Sequence, residues 1–157
     1  TFCVESSEYI AFNTPYTVAG ISDRAMFGGK HPDGDPLSPK TAYLYTQFRL
    51  DALPGYDGSH GAANALQRLI WEYEEEDTKF LTGAVDLSLY SDWKDLAESS
   101  GWNTLGNVRV MNLEQNGIKR QDQLVMVPVP EPGTVTLIGL GLFSLAAAGR
   151  RKRRSLR

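Results

Sequence analysis

A chain of 157 residues with 41% hydrophobic, 22% charged and 10% aromatic side chains has room for one domain with a core and too little for two ordinary ones. Its formal charge of −3 hides a split: six of the 16 basic residues lie in the last eight positions, so residues 1–149 hold ten bases against 19 acids, a charge of −9. The sixteen aromatics exclude global disorder, and the acidic body excludes nucleic-acid binding.

In chain order, Phe2-Cys3-Val4 and Tyr9 to Phe12 read as extended segments, Asn13-Thr14-Pro15 as a turn, and Tyr16 to Ile21 as a second strand. Residues 28–39 hold three glycines and three prolines and read as a loop. Lys40 to Leu50 predicts a short helix with Ala42, Leu44, Tyr45 and Phe48 as its apolar stripe. After a Gly-rich loop from Leu53 to Gly61, Ala62 to Asp77 carries the strongest helical period, with Ala62, Leu66, Leu69, Ile70 and Tyr73 on one face. Leu87 to Glu98 predicts a third helix with Leu89, Tyr90, Trp93 and Leu96 inward. Gly101 to Gly106 reads as a turn, Val108 to Leu113 as a strand, and Gln123 to Val129 as the last strand. Between these two strands stands Asn116-Gly117, the usual signal of a two-residue hairpin. Strands, then helices, then strands predict an α+β domain or a small barrel with a helical insert.

The C-terminal end reads differently. Val127-Pro128-Val129-Pro130-Glu131-Pro132 continues neither strand nor helix and predicts an extended linker. From Pro132 to Gly149 no residue is charged; a helix of that length reaches roughly 27 Å against a bilayer core of about 30 Å. Arg150, Arg151, Lys152, Arg153 and Arg154 follow at once, and such a cluster stays on the cytoplasmic side, which places the body outside. Pro130-Glu131-Pro132, a short apolar span and an arginine cluster together resemble the PEP-CTERM sorting signal. That resemblance implies a Gram-negative bacterium, export, processing by an exosortase, and a tail that is an address rather than part of the fold. A plain membrane anchor is the alternative. The expected organisation is a body over 1–127, a linker over 128–133, a transmembrane span over 134–149 and a basic cytoplasmic tail over 150–157. The chain would be anchored in the inner membrane during export and then reach the cell surface or extracellular matrix. It begins Thr1-Phe2-Cys3, without Met or a basic-then-apolar leader, and reads as a mature or truncated form.

Cys3 is the one cysteine, so an exported chain cannot pair it internally. It reads either as a small buried hydrophobe or as a chemically used thiol. Gln67 sits on the shoulder of the apolar face of the strongest helix, where Trp71 widens the arc past it. A carboxamide left unpaired there costs about 1–3 kcal/mol. Backbone hydrogen bonds would satisfy it; a thioester between its carbonyl carbon and the Cys3 sulfur would use it.

Phe2-Cys3-Val4 with Leu66-Gln67-Arg68-Leu69-Ile70-Trp71 some sixty residues later resembles the bacterial surface thioester domain. Those domains carry an aromatic-Cys-hydrophobic motif and a Thr-Gln-x-Ala-Ile-Trp motif. Here Gln67, Ile70 and Trp71 match, while Leu66 replaces the Thr and Leu69 the Ala. The resemblance implies a β-rich barrel- or sandwich-like body with a helical subdomain, a Cys3–Gln67 cross-link supported by Phe2, Ile70 and Trp71, and covalent adhesion.

The remaining candidates carry less. His31 and His60 lie in Gly/Pro loops without zinc-ligand spacing. Asp33-Gly34-Asp35 starts like a calcium loop, but Leu44 stands where the twelfth-position Glu belongs, and a surface turn is the plainer reading. Glu72, Glu74, Glu75, Glu76 and Asp77 read as a solvated acidic helix end. No Gly-x-Ser-x-Gly and no phosphate loop outside the apolar span occurs. The sequence therefore predicts an exported attachment protein rather than an enzyme, without cofactor or metal. Its partners would be an exosortase, the membrane, and an amine-bearing surface protein or matrix polysaccharide. The rival is a non-covalent structural or carbohydrate-binding biofilm matrix protein with Cys3 in its core.

Overall fold

Asn116 and Gly117 both take positive φ, 55° and 73°, the backbone that a tight two-residue hairpin turn demands and that Asn and Gly adopt most readily. They join the two longest strands among the described residues, β4 (Val108–Gln115) and β5 (Ile118–Met126), paired from Gln115 opposite Ile118 to Val108 opposite Met126 with one register shift between Met111 and Leu113. β1 (Thr17–Ser22) pairs antiparallel with the other edge of β4, giving the order β1-β4-β5. A short ribbon of β2 (Arg24–Ala25) and β3 (Asp35–Pro36) stands apart from that sheet. The computed structural model describes residues 1–26 and 34–128. The chain divides into two compact units, Thr1–Val127 and Pro128–Arg157, and the fold described here is that of the first.

The expected strand at Phe2-Cys3-Val4 is present as an edge contact. Leu124 N–H donates to Phe2 O at 2.9 Å, Val4 N–H donates to Asp122 O at 3.0 Å, and Cys3 bridges Gln123. The N-terminal segment thus lies antiparallel on the outer edge of β5. The last strand begins at Ile118, five residues before the expected Gln123, because the hairpin turn hands the chain directly to its partner.

Among the described residues three α-helices pack on one another, the first also meeting β4 and β5, and each is started by a side-chain cap. Ser38 caps α1 (Pro39–Arg49), whose first residue is proline, and Ser59 caps α2 (His60–Tyr73) by accepting from Ala62 N–H at 3.2 Å. Asp86 caps α3 (Leu87–Ser99), accepting from Ser88 and Leu89 N–H, both at 3.0 Å. Ser59→Ala is expected to lower stability by about 1 kcal/mol in urea titration, because the α2 entry turn has no other side-chain acceptor for Ala62 N–H.

Leu44 and Tyr45 of α1, Leu66, Leu69 and Ile70 of α2, Trp93 of α3 and Val108, Val110 and Leu124 of the sheet form the core. Polar ends inside it are paired: Trp93 Nε1–H donates to Pro54 O at 2.7 Å, and Tyr45 O–H to Leu124 O at 3.0 Å. The fold is α+β. Among the described residues the strands form a three-stranded sheet and a two-stranded ribbon. Among the described residues no helix is long and apolar enough to cross a membrane. The expected span at 134–149, the tripeptide Pro130-Glu131-Pro132, the basic cluster, His31 and Asp33 lie outside the described residues. His60 opens α2 and Asp35 lies in β3.

Candidate functional site

Because Phe2 and Val4 spend their backbone groups on β5, the N–H and C=O of Cys3 face the opposite way, off the sheet edge. Among the described residues no strand meets them there. The Gln67 side chain does: Cys3 N–H donates to Gln67 Oε1 at 2.9 Å, and Gln67 Nε2 donates to Cys3 O at 2.7 Å. One carboxamide pairs with both backbone groups of one residue, as the peptide of a neighbouring strand would. Residues 64 positions apart are brought together by the register of the N-terminal segment on β5 and by the rotation of α2.

The flanking motif residues set that rotation. Phe2 is buried and meets Phe48 edge-to-face, with ring centroids 5.0 Å apart. Ile70 is fully buried. Leu66 and Leu69, where the motif has Thr and Ala, are buried in the core. Trp71 is buried beside Gln67 on the cleft side, and its Nε1–H is buried without a hydrogen-bond partner.

Cys3 itself is half-buried, and its Sγ accepts from Gln123 Nε2 at 3.2 Å. Burial pushes the thiol above its ordinary value; the Gln123 hydrogen bond pulls the other way, and the nearby Glu5 charge adds to the rise. The resting sulfur is therefore a thiol at neutral pH, and attack by it requires a base.

A cleft of about 350 Å³ opens over Cys3 and Gln67. Ser6, Asn64, Thr82 and Gln121 bring polar groups to it, and Tyr9, Phe12 and Phe80 bring exposed rings. Asn64 is itself held by Nδ2 bonds to Thr82 O and Ala84 O, at 3.3 and 2.9 Å, which fixes that wall against α2. A second hollow of about 230 Å³ lies between β1 and β4, lined by Asn112 and Asp122 among others, away from the thiol.

Sequence reasoning reached Cys3, Gln67 and Trp71 but missed Ser6, Glu76, Gln121 and Gln123. The acidic helix end is not simply solvated. Glu72 is tied to Lys94 and Tyr90 of α3, Glu74 is buried, and Glu76 accepts from both the N–H and the hydroxyl of Ser6. The missed signal on β5 was Gln121-Asp122-Gln123: three consecutive polar residues in a strand cannot all face solvent when side chains alternate, and all three are buried.

The PEP-CTERM protein-sorting motif matches residues 128–154. That stretch contains Pro130-Glu131-Pro132 and the cluster Arg150 to Arg154. The motif implies processing by exosortase and export to the cell surface from a membrane-anchored precursor. No curated protein and no solved structure matches the chain.

Proposed function

We propose that the body is a single-use covalent attachment module of an exosortase-sorted envelope protein, in which Cys3 and Gln67 form an internal thioester that captures amines. The observation that carries this reading is the two-point pairing of the Gln67 carboxamide with Cys3. It holds the carboxamide at the backbone of Cys3, in the cleft that both residues line, and so limits the search by which the sulfur would reach the Gln67 carbonyl carbon. The thiolate adds to the Gln67 carbonyl carbon, the C–N bond breaks, ammonia leaves with a proton, and a C–S bond remains. An amine then attacks the same carbon, the C–S bond breaks, and Gln67 becomes an amide to the target while Cys3 regains its proton. The half-open cleft admits such a nucleophile. The partners on this reading are exosortase, the membrane during export, and an amine-bearing surface protein or polysaccharide.

One observation favours the rival, a non-covalent matrix protein. The same two hydrogen bonds give both polar atoms of Gln67 a partner at the Cys3 backbone, so a structural strap would account for it without chemistry.

The intact mass of the full chain decides between them, taken before and after methylamine and compared with Cys3→Ala and Gln67→Ala. The covalent reading expects a wild-type mass short by one ammonia, a methylamine adduct on treatment, and neither change in the variants. A full mass together with a titratable thiol in folded protein removes the covalent reading and leaves the strap.

A further inference from the structure

We propose that Ser6 and Glu76 are the proton relay of this site, Ser6 touching the attacking amine and Glu76 accepting its proton through Ser6. The proposal rests on the thioester reading above. Two chain segments build the arrangement. The N-terminal segment supplies Cys3 and, three residues on, Ser6; α2 supplies Gln67 and, in its exit turn, Glu76. That turn is closed by Glu76 N–H donating to Trp71 O at 2.7 Å, with Glu75 at φ 57°.

Ser6 lines the same cleft as Cys3 and Gln67 and is only 2% exposed. Its hydroxyl donates to Glu76 Oε2 at 2.8 Å, and its N–H donates to the same oxygen at 3.1 Å. The hydroxyl proton is therefore committed to the carboxylate, which leaves the lone pairs of Oγ as its accepting side. A serine so held passes a proton rather than losing one.

The site needs such a group. A neutral amine adding to the Gln67 carbonyl carbon becomes cationic at nitrogen, and until it loses a proton it is the better leaving group. The N–H proton passes to Ser6 Oγ as the Ser6 proton passes to Glu76. The C–S electrons return to sulfur, giving the Cys3 thiolate. Burial raises that thiol, so the thiolate takes a proton back, supplied by the Glu76 carboxylic acid through the same hydroxyl. The sum is thioester plus amine giving amide plus thiol, with the relay restored. Glu74 in the preceding turn feels the Glu76 charge, so Glu76 works beside a second carboxyl.

The test is the rate of methylamine uptake by the full chain, read by intact mass, in wild type, Ser6→Ala, Glu76→Gln and Glu76→Asp, with circular dichroism to verify folding. Glutamine keeps an acceptor for both Ser6 donors, so Glu76→Gln preserves the scaffold while removing the proton acceptor. Expected is at least about a tenfold slower uptake in Ser6→Ala and Glu76→Gln, each still showing the ammonia deficit, with Glu76→Asp recovering most of the rate. A wild-type rate in Glu76→Gln, or Glu76→Asp as slow as Glu76→Gln, overturns the relay. A mass deficit with unaltered rates removes the relay alone; a wild type without the deficit removes the thioester and the relay with it.

Discussion

Asp122→Ala is expected to lower the stability of the chain by about 2–4 kcal/mol, because three hydrogen bonds converge on this one buried carboxylate. Asp122 is 1% exposed. Its Oδ2 accepts from Met26 N–H at 2.9 Å and from Asn112 Nδ2 at 2.7 Å, and its Oδ1 accepts from Leu113 N–H at 2.9 Å. Asn112 and Leu113 sit where the β4–β5 register shifts, and Met26 follows β2. One carboxylate thus holds a bulge closed and ties the ribbon to the sheet. Truncation takes the acceptor from Met26 N–H and Leu113 N–H and leaves Asn112 Nδ2 with Arg24 O alone, at about 1–3 kcal/mol for each lost bond before water from the adjoining hollow and relaxation offset part of it. Asp122→Asn keeps acceptor capacity at one atom and is expected to cost less. Urea unfolding at neutral pH measures both, and a loss below about 1 kcal/mol for Asp122→Ala would sink the assignment.

Glu74 carries the second large effect, and its sign is opposite to that of most carboxylates. It is 5% exposed, and burial pushes its carboxyl up to about 7 from an ordinary 4.5, with the charges of Asp35 and Glu76 adding to the rise. Ser38 N–H, donating to its two oxygens at 3.1 and 3.3 Å at the start of α1, pulls the other way without prevailing. Desolvation outweighs the helix end and its hydrogen bonds. The folded chain therefore binds this proton more tightly than the unfolded one. The stabilisation it gives is fully present below about pH 4.5 and is lost as pH rises through about 7, an effect of about 3 kcal/mol. Glu72 runs the other way: despite its burial, Lys94 and Tyr90 hold it below its usual range, so its contribution is lost on acidification. Comparing wild type with Glu74→Gln isolates the first term. Glutamine still accepts from Ser38, so the variant is expected to gain about 2–3 kcal/mol on wild type between pH 5 and pH 8. A difference that stays constant across that range would mean Glu74 is charged throughout.

How much of this was legible follows from which physics writes a pattern into the chain. Helix periodicity and caps are local, and α1, α2 and α3 lie within two residues of the expected starts. Asn116-Gly117 announced the hairpin because few other pairs tolerate its backbone. The sequence singled out Cys3 and Gln67 as a pair, and the structure pairs Gln67 with the backbone of Cys3. That Gln67 meets the backbone of Cys3 depends on the N-terminal segment joining the far edge of β5, a long-range pairing without a local signature. The same holds for the acids after α2. Their composition spoke for solvent, and only the return of Ser6, Ser38 and α3 onto that turn gives Glu76, Glu74 and Glu72 partners.

The way β5 leaves the fold bears on how the body withstands force. β5 ends at Met126, Val127 N–H is held by Asn107 O at 2.9 Å, and the sorting motif begins at residue 128. Force that reaches Val127 is therefore received by the strand that lies between β4 and the Cys3 segment. Under a load along its own axis, a strand paired on both sides shares that load among its hydrogen bonds, while a load across the axis would open them one at a time. The pairing on both sides thus secures the end of the body that leads into the sorting motif.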